Sequence, residues 1–417
     1  MQKLHRLSIP STLSSLCAAM LLAACGGGSS SPTASSASTA DSAQAGAVAA
    51  SEGNAAASSP DTSSMPSAQP APIAVAPAPV GGQATPSPSA PAPAPAPAQA
   101  PAPAPAPAPA PSTQPSAKTI FGASSFWYQQ IPANAPLHAN SAGFAADFQR
   151  QIQSYYGNVT INTDSYASPV YVADASTPTV KVSFWDCQGK GYVDQALQAQ
   201  WAQVPIPSYA QPSDGTDGEM TVYQPSTDTV WEFWQTRKVN GQWQACWGGR
   251  MTNASKSDGR FANSYGTTAT GLPFLGGQIS AEELQAGEIG HAIGIALVEP
   301  KAYPALSWPA SRTDGFYTGA NAIAEGQRFF LDKSVNVDAL NIHPVAKTIA
   351  RAAQKYGFVV WDKAGALSLR VNNPKGYTAM GKADPYDALF NGTQPYAILN
   401  GFPWDKLRFL PMDYGKP

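Results

Sequence analysis

From Ile120 onward, apolar and polar residues alternate in short runs that read mainly as β-strands. Thr221-Val222-Tyr223 and Thr229-Val230-Trp231-Glu232-Phe233-Trp234 are β-branched and aromatic, with a turn-like Gln224-Pro225-Ser226-Thr227-Asp228 between them. Trp243-Gln244-Ala245-Cys246-Trp247 follows Asn240-Gly241, a two-residue hairpin signal. Apolar runs at 358–361 and 367–371 flank a further turn at 362–365. A helical period is rarer. Over 141–156 it puts Phe144, Phe148, Ile152 and Tyr155 on one face that ends at Gly157. Residues 280–285 open with a Ser-x-x-Glu capping box and stop at Gly287. Residues 344–356 start with proline in the first turn and stop at Gly357. Many short strands, closely spaced turns and about three peripheral helices predict a mainly β domain, an antiparallel β-sandwich of jelly-roll-like form. No internal repeat points to a propeller.

The first 120 residues follow a different pattern. The 10 tryptophans, 16 tyrosines and 15 phenylalanines all lie at or after Phe121, and 20 of the 40 prolines fall between Pro32 and Pro115. Lys3 and Arg6 precede a short apolar stretch at 13–24, as a secretory signal requires. Its end, Leu22-Ala23-Ala24-Cys25, resembles the lipobox of bacterial lipoproteins, which implies acylation of Cys25. Two or more acyl chains would anchor the protein stably. Gly26, in place of aspartate after the cysteine, resembles the pattern for sorting to the outer membrane. Residues 26–117 carry only Asp41, Glu52 and Asp61 as charges and no aromatic residue, so they cannot offset ordering entropy by burial. The Pro-Ala alternation over 86–111 predicts an extended spacer of ~80 Å at ~3.1 Å per residue. The expected organisation is a signal peptide at 1–24, a disordered stalk at 25–117 and a globular domain at 118–417. A net charge of −2 with 12% charged residues excludes a basic nucleic-acid binder. No apolar run is long enough to span a membrane.

Two cysteines remain beyond the signal and its anchor. Cys187 and Cys246 are expected to form a disulfide in an oxidising compartment, worth ~4 kcal/mol for a loop of about 60 residues. A pair of buried free thiols is the alternative.

There is no Gly-x-Ser-x-Gly elbow, phosphate-binding glycine loop or His-Glu-x-x-His, and the histidines past the signal (His138, His291, His343) are too scattered for a zinc site. Hydrolytic chemistry is therefore left to carboxylates, with or without one histidine. Glu232 is the leading candidate. Strand alternation puts it beside Val230 and Trp234, with Trp231 and Phe233 opposite. A carboxylate next to an indole suits sugar cleavage, because the ring stacks on a pyranose and apolar surroundings raise the acid's pKa. An ion pair with Arg237 or Arg250 is the plainer reading. His291 is the second candidate, although as a strand residue it shares a face with Ile289, Ile293 and Ile295 and reads equally as a core histidine. The small Gly290, Ala292 and Gly294 on the opposite face would allow a close approach. Glu288 falls on that face too, so a regular strand separates it from His291. Asp217 and Asp228 are the candidate acidic partners of Glu232, and Trp231, Trp234, Trp247 and Trp308 the candidate sugar platforms. Arg250 and Arg312 would suit an acidic sugar's carboxylate. The run Asp214 to Glu219 has alternating oxygen ligands that could hold Ca²⁺, but it lacks the full EF-hand pattern, so no cofactor is expected.

Met220-Thr221-Val222-Tyr223-Gln224-Pro225, Asp228 through Trp234, Trp247-Gly248-Gly249-Arg250, Ala269-Thr270-Gly271-Leu272-Pro273, His291-Ala292-Ile293 and Trp308-Pro309-Ala310 occur in an order that resembles a family of secreted bacterial β-rich proteins, most with hypothetical-protein names. The resemblance spans about residues 121–410. It implies a common fold and points to Glu232 and His291, but carries no activity. Glu219 stands where the family pattern has His, so the resemblance does not mark it as a required acid. The expectation is a surface lipoprotein, monomeric, carrying a glycoside hydrolase that cleaves a polysaccharide. The alternatives are a polysaccharide lyase with His291 as base, or a non-catalytic glycan-binding lipoprotein. Its partners would be a polysaccharide and outer-membrane lipid.

Overall fold

The computed structural model describes residues 120–417. Among them are seven α-helices and thirteen strands, numbered along the chain, and the strands form three sheets. The largest sheet runs in the order β1 (Thr160–Asn162), β12 (Ser368–Arg370), β9 (Ile293–Leu297), β11 (Phe358–Lys363), β10 (Arg328–Leu331) and β13 (Leu407–Phe409). A four-stranded sheet orders β2 (Val170–Val172), β4 (Met220–Gln224), β5 (Thr229–Trp234) and β8 (Trp247–Thr252). A three-stranded sheet orders β3 (Val182–Phe184), β7 (Gln242–Ala245) and β6 (Arg237–Val239).

The domain is thus β-rich, as its alternation pattern predicts, but its sheets are mixed. The pairs β1·β12, β9·β11, β2·β4 and β3·β7 are parallel, which departs from an antiparallel, jelly-roll-like sandwich. The reason is visible at β9. All five of its residues are buried, which suits a strand covered on both faces, and it inserts between β11 and β12. The turn at 362–365 therefore closes no hairpin. Asn240-Gly241 does close one, between β6 and β7, with both residues at positive φ.

Period-two alternation separates three apolar layers. Ile293, Ile295, Phe358 and Val360 face one side of the large sheet, against α1 (Ser141–Ser154) and α5 (Pro344–Lys355). Val359 and Trp361 face the other side and meet Val230, Met251 and Phe274. Trp231 and Phe233, on the far face of β5, pack with Val182, Trp243 and Trp201 next to α2 (Gln195–Gln200). The expected face of α1 is buried at Phe144, Phe148 and Ile152. In α4 (Ala281–Ala286) the capping box forms between Ser280 and Glu283. The remaining helices α3 (Phe274–Gly277), α6 (Lys375–Thr378) and α7 (Pro385–Phe390) span six residues or fewer, too short to show a period. A Cβ on Gly277 or Gly294 would collide with the Trp361 ring, so these two glycines let α3 lie directly on β9.

Cys187 and Cys246 form a disulfide, with Cα atoms 5.6 Å apart. Residues 243–247 do not form one strand, because β7 ends at Ala245 and β8 begins at Trp247 in another sheet. Cys246 sits at that crossing. No helix among the described residues is long and apolar enough to cross a membrane.

Candidate functional site

A cleft of about 420 Å³ opens where the four-stranded sheet meets the C-terminal end of β11. Asp217 and Glu219 enter it from the segment leading into β4, Trp234 from the end of β5 and Trp247 from the start of β8. Thr267, Thr268 and Phe274 form its base, Asp362 and Lys363 one wall, and Arg312 to Asp314 the rim.

Glu219 is fully buried yet lines this cleft. Ser213 Oγ donates to its Oε2 at 2.5 Å, and Oε1 receives no hydrogen bond. Burial raises its pKa to about 7 against the pull of Arg370, and the charge of Asp217 adds to the rise. Arg370 is buried between two carboxylates: Nη1 lies 3.8 Å from Glu219 Oε1, and Nη2 donates to Asp362 Oδ2 at 2.8 Å. The guanidinium sits over the Phe274 ring, 4.5 Å from its centroid. Asp362 also accepts from the Ala269 and Lys363 backbone amides. Burial raises its pKa while Arg370 opposes the rise. The carboxylates of Glu219 and Asp362 lie at most ~9 Å apart across the planar fork.

Trp247 has cations on its ring, with Arg312 Cζ 5.5 Å and Lys190 Nζ 5.7 Å from the centroid. Arg312 donates to the carbonyls of Gly266 and Thr268, which fixes it, while its Nε has no partner. Burial lowers the Arg312 pKa, against the nearby Asp362, Glu325 and Asp314. The indole nitrogen of Trp247 is also buried without an acceptor. Buried beside the cleft, Trp247 Nε1, Arg312 Nε and Glu219 Oε1 thus lack hydrogen-bond partners.

Of the residues singled out in the sequence, Asp217, Trp234, Trp247 and Arg312 come together here. The others lie elsewhere. Glu232 faces the layer between the sheets, as alternation predicts, but is fully covered and does not line the cleft. It pairs with neither Arg237 nor Arg250. Thr267 Oγ1 donates to it at 2.7 Å, and the Phe274 and Leu275 amides at 3.0 and 2.9 Å, so it ties the cleft-floor loop to β5. Burial raises its pKa to about 7 against these three bonds. His291 is fully buried just before β9, with Nδ1 facing the Ala292 carbonyl and Nε2 3.3 Å from Glu283 Oε2. Burial alone would lower its pKa, but the Glu283 carboxylate raises it, and Glu283 is correspondingly lowered. Glu288 lies apart, near Lys355. Asp228 occupies a left-handed turn and accepts from Ser255. Trp231 is buried and donates to the Gln200 carbonyl. Trp308 is buried edge-on to Phe126, and Arg250 is exposed on another surface depression. Cys25, the signal and the stalk fall outside the described residues.

The acidic run splits up as well: Asp214 pairs with Lys375, Asp217 enters the cleft, and Glu219 is buried beside Arg370. Among the described residues, no group of three or more His, Cys, Asp or Glu side chains is placed to hold a metal.

No family model, curated protein or solved structure matches this chain. The reading of the site therefore rests on its geometry. Sequence reasoning passed over Asp362 and Arg370 and placed Glu219 only in a run that could hold Ca²⁺, not as the catalytic acid. One signal pointed to Arg370: a lone arginine inside the apolar run 367–371 must find a buried partner.

Proposed function

We propose that this domain is a carbohydrate-active enzyme, a glycoside hydrolase working in the Trp234/Trp247 cleft with Glu219 as general acid. One observation carries the reading: Glu219 lines a cleft, is buried with one oxygen lacking a donor, and has a pKa raised to about 7. A carboxyl group in that state holds its proton near neutrality and can release it to a leaving glycosidic oxygen. Asp217, on the same cleft with no hydrogen bond to its carboxylate among the described residues, is the second carboxylate, attacking the anomeric carbon or activating water. Trp234 and Trp247 supply ring faces for the sugar, and Arg312 and Lys190 orient its oxygens. Arg370 and Asp362 act as positioning residues, holding Glu219 in place and its charge in balance.

The buried, Glu283-paired His291 does not reach this cleft, so a lyase step with His291 as base has no support from the geometry. In this reading the N-terminal segment displays the domain at the cell envelope through acylated Cys25 and a Pro-Ala stalk. The shared motif order with secreted bacterial proteins would then mark a common fold.

The test is a product assay of the full chain on neutral and acidic polysaccharides, following new reducing ends and the absorbance of unsaturated uronates. Reducing ends alone, abolished by Glu219→Gln, support a hydrolase, and unsaturated products would refute it in favour of a lyase. Retention of a glycan without cleavage would leave a binding module.

A further inference from the structure

Beyond Asp217 and Lys363, a second depression of about 410 Å³ follows the first, and these two residues line both. Its far wall carries Tyr156 and Tyr166, and Arg370 and Asn162 lie in its floor. Both tyrosines are exposed, Tyr156 to 81%, so neither contributes to a core. Both also adopt left-handed backbone conformations, with φ of 65° and 59°, which bulky residues rarely hold. Tyr156 follows Tyr155, the C-cap of α1, at the position where a glycine would be the ordinary choice, and Gly157 comes only one residue later. The Tyr166 ring lies against Gly215, where an added Cβ would be 3.4 Å from the ring. In the floor, Arg370 Nε and Nη1 are buried without a hydrogen-bond acceptor. Strained, exposed aromatics on the wall of a depression continuous with the first point to a ligand that covers them.

We infer that the two depressions form one groove, with a second sugar-binding subsite at Tyr156 and Tyr166, and that the substrate is a polymer lying across the Asp217–Lys363 saddle. The inference rests on the carbohydrate reading above and extends it. Trp234 and Trp247 hold the chain on one side of the acidic pair, and Tyr156 and Tyr166 on the other. A chain gripped on both sides is cut in its interior, so the first products are long fragments rather than single terminal sugars.

Affinity electrophoresis of the full chain, in native gels containing laminarin, xylan, alginate or polygalacturonate, tests this. The key variant is Tyr156→Gly with Tyr166→Gly. Glycine relieves both left-handed positions, so the thermal midpoint should not fall and unfolding cannot account for lost binding. The expected result is about tenfold weaker retardation in the gel that retards wild type, restored by Tyr156→Phe with Tyr166→Phe. Retardation of the glycine variant equal to wild type, while Trp247→Ala loses it, overturns the second subsite and leaves the carbohydrate reading standing. Wild type retarded by none of the four polymers overturns both.

Discussion

Glu232 and Glu219 lie in adjacent strands or their approaches, both fully buried and both pushed to about 7 by burial. What surrounds their oxygens differs. Every donor around Glu232 is backbone or hydroxyl from the 267–275 loop, and the carboxylate accepts three bonds. Glu219 lines the cleft but accepts only one side-chain bond, and its Oε1, buried 3.8 Å from Arg370 Nη1, receives none. A raised pKa in a buried acid is thus no guide to function by itself. A carboxylate whose valences are filled by the fold is a strut, and one with a valence left open is a candidate reagent.

The largest effect should separate the two directly. Glu219→Gln should lower turnover by ~10²–10⁴-fold while leaving the thermal midpoint unchanged or higher above neutral pH, because it removes a poorly solvated charge. Steady-state kinetics beside thermal melts check both halves.

The pH dependence sharpens the contrast. A carboxyl raised from 4.5 to about 7 holds a proton in the folded state that the unfolded chain has released. Stability therefore falls as pH rises through that interval, by on the order of a few kcal/mol, and then levels off for these two groups. His291, raised by Glu283, adds a further loss as pH climbs through its folded value, whereas the lowered Glu283 gives up stability only on the acid side. Urea midpoints measured across this range should decline, and more shallowly in Glu219→Gln. Activity should fall on the alkaline side of about 7 as the acid loses its proton.

Next in size, Glu232→Gln should cost about 2–3 kcal/mol, since its amide would face the Phe274 or Leu275 N–H where an acceptor is required. Chemical denaturation reads the loss, and the surviving folded fraction should still turn over. A variant that stays fully stable but is inactive would reverse the roles assigned to the two acids. The smallest change, Thr267→Val, removes a single bond to Glu232 and should cost ~1 kcal/mol with a modest rise in KM, because Thr267 also lines the cleft.

Local features were open to sequence reasoning because they depend on neighbours in the chain. The Asn240-Gly241 turn, the Ser280–Glu283 box and the proline start of α5 all act within four residues. So does the alternation that sends Val230 to one layer and Trp231 and Phe233 to another. The parallel partners of β9 and β2 are long-range choices, and a β-branched run reads alike whichever direction its neighbour takes. The site failed to show for the same reason. Glu219, Asp362 and Arg370 come from segments about 140 residues apart, and only sheet register makes them one group. Tyr156 and Tyr166 gave no signal, because side-chain identity does not reveal a left-handed backbone.

The cystine at 187 and 246 fastens the loop bearing Gln188 and Lys190 to the residue just before Trp247. The three apolar layers do not include it. A chain made where thiols stay reduced would lose the ~4 kcal/mol of that closure together with a firm rim beside Trp247, so oxidation after synthesis firms the fold and the edge of the cleft at once.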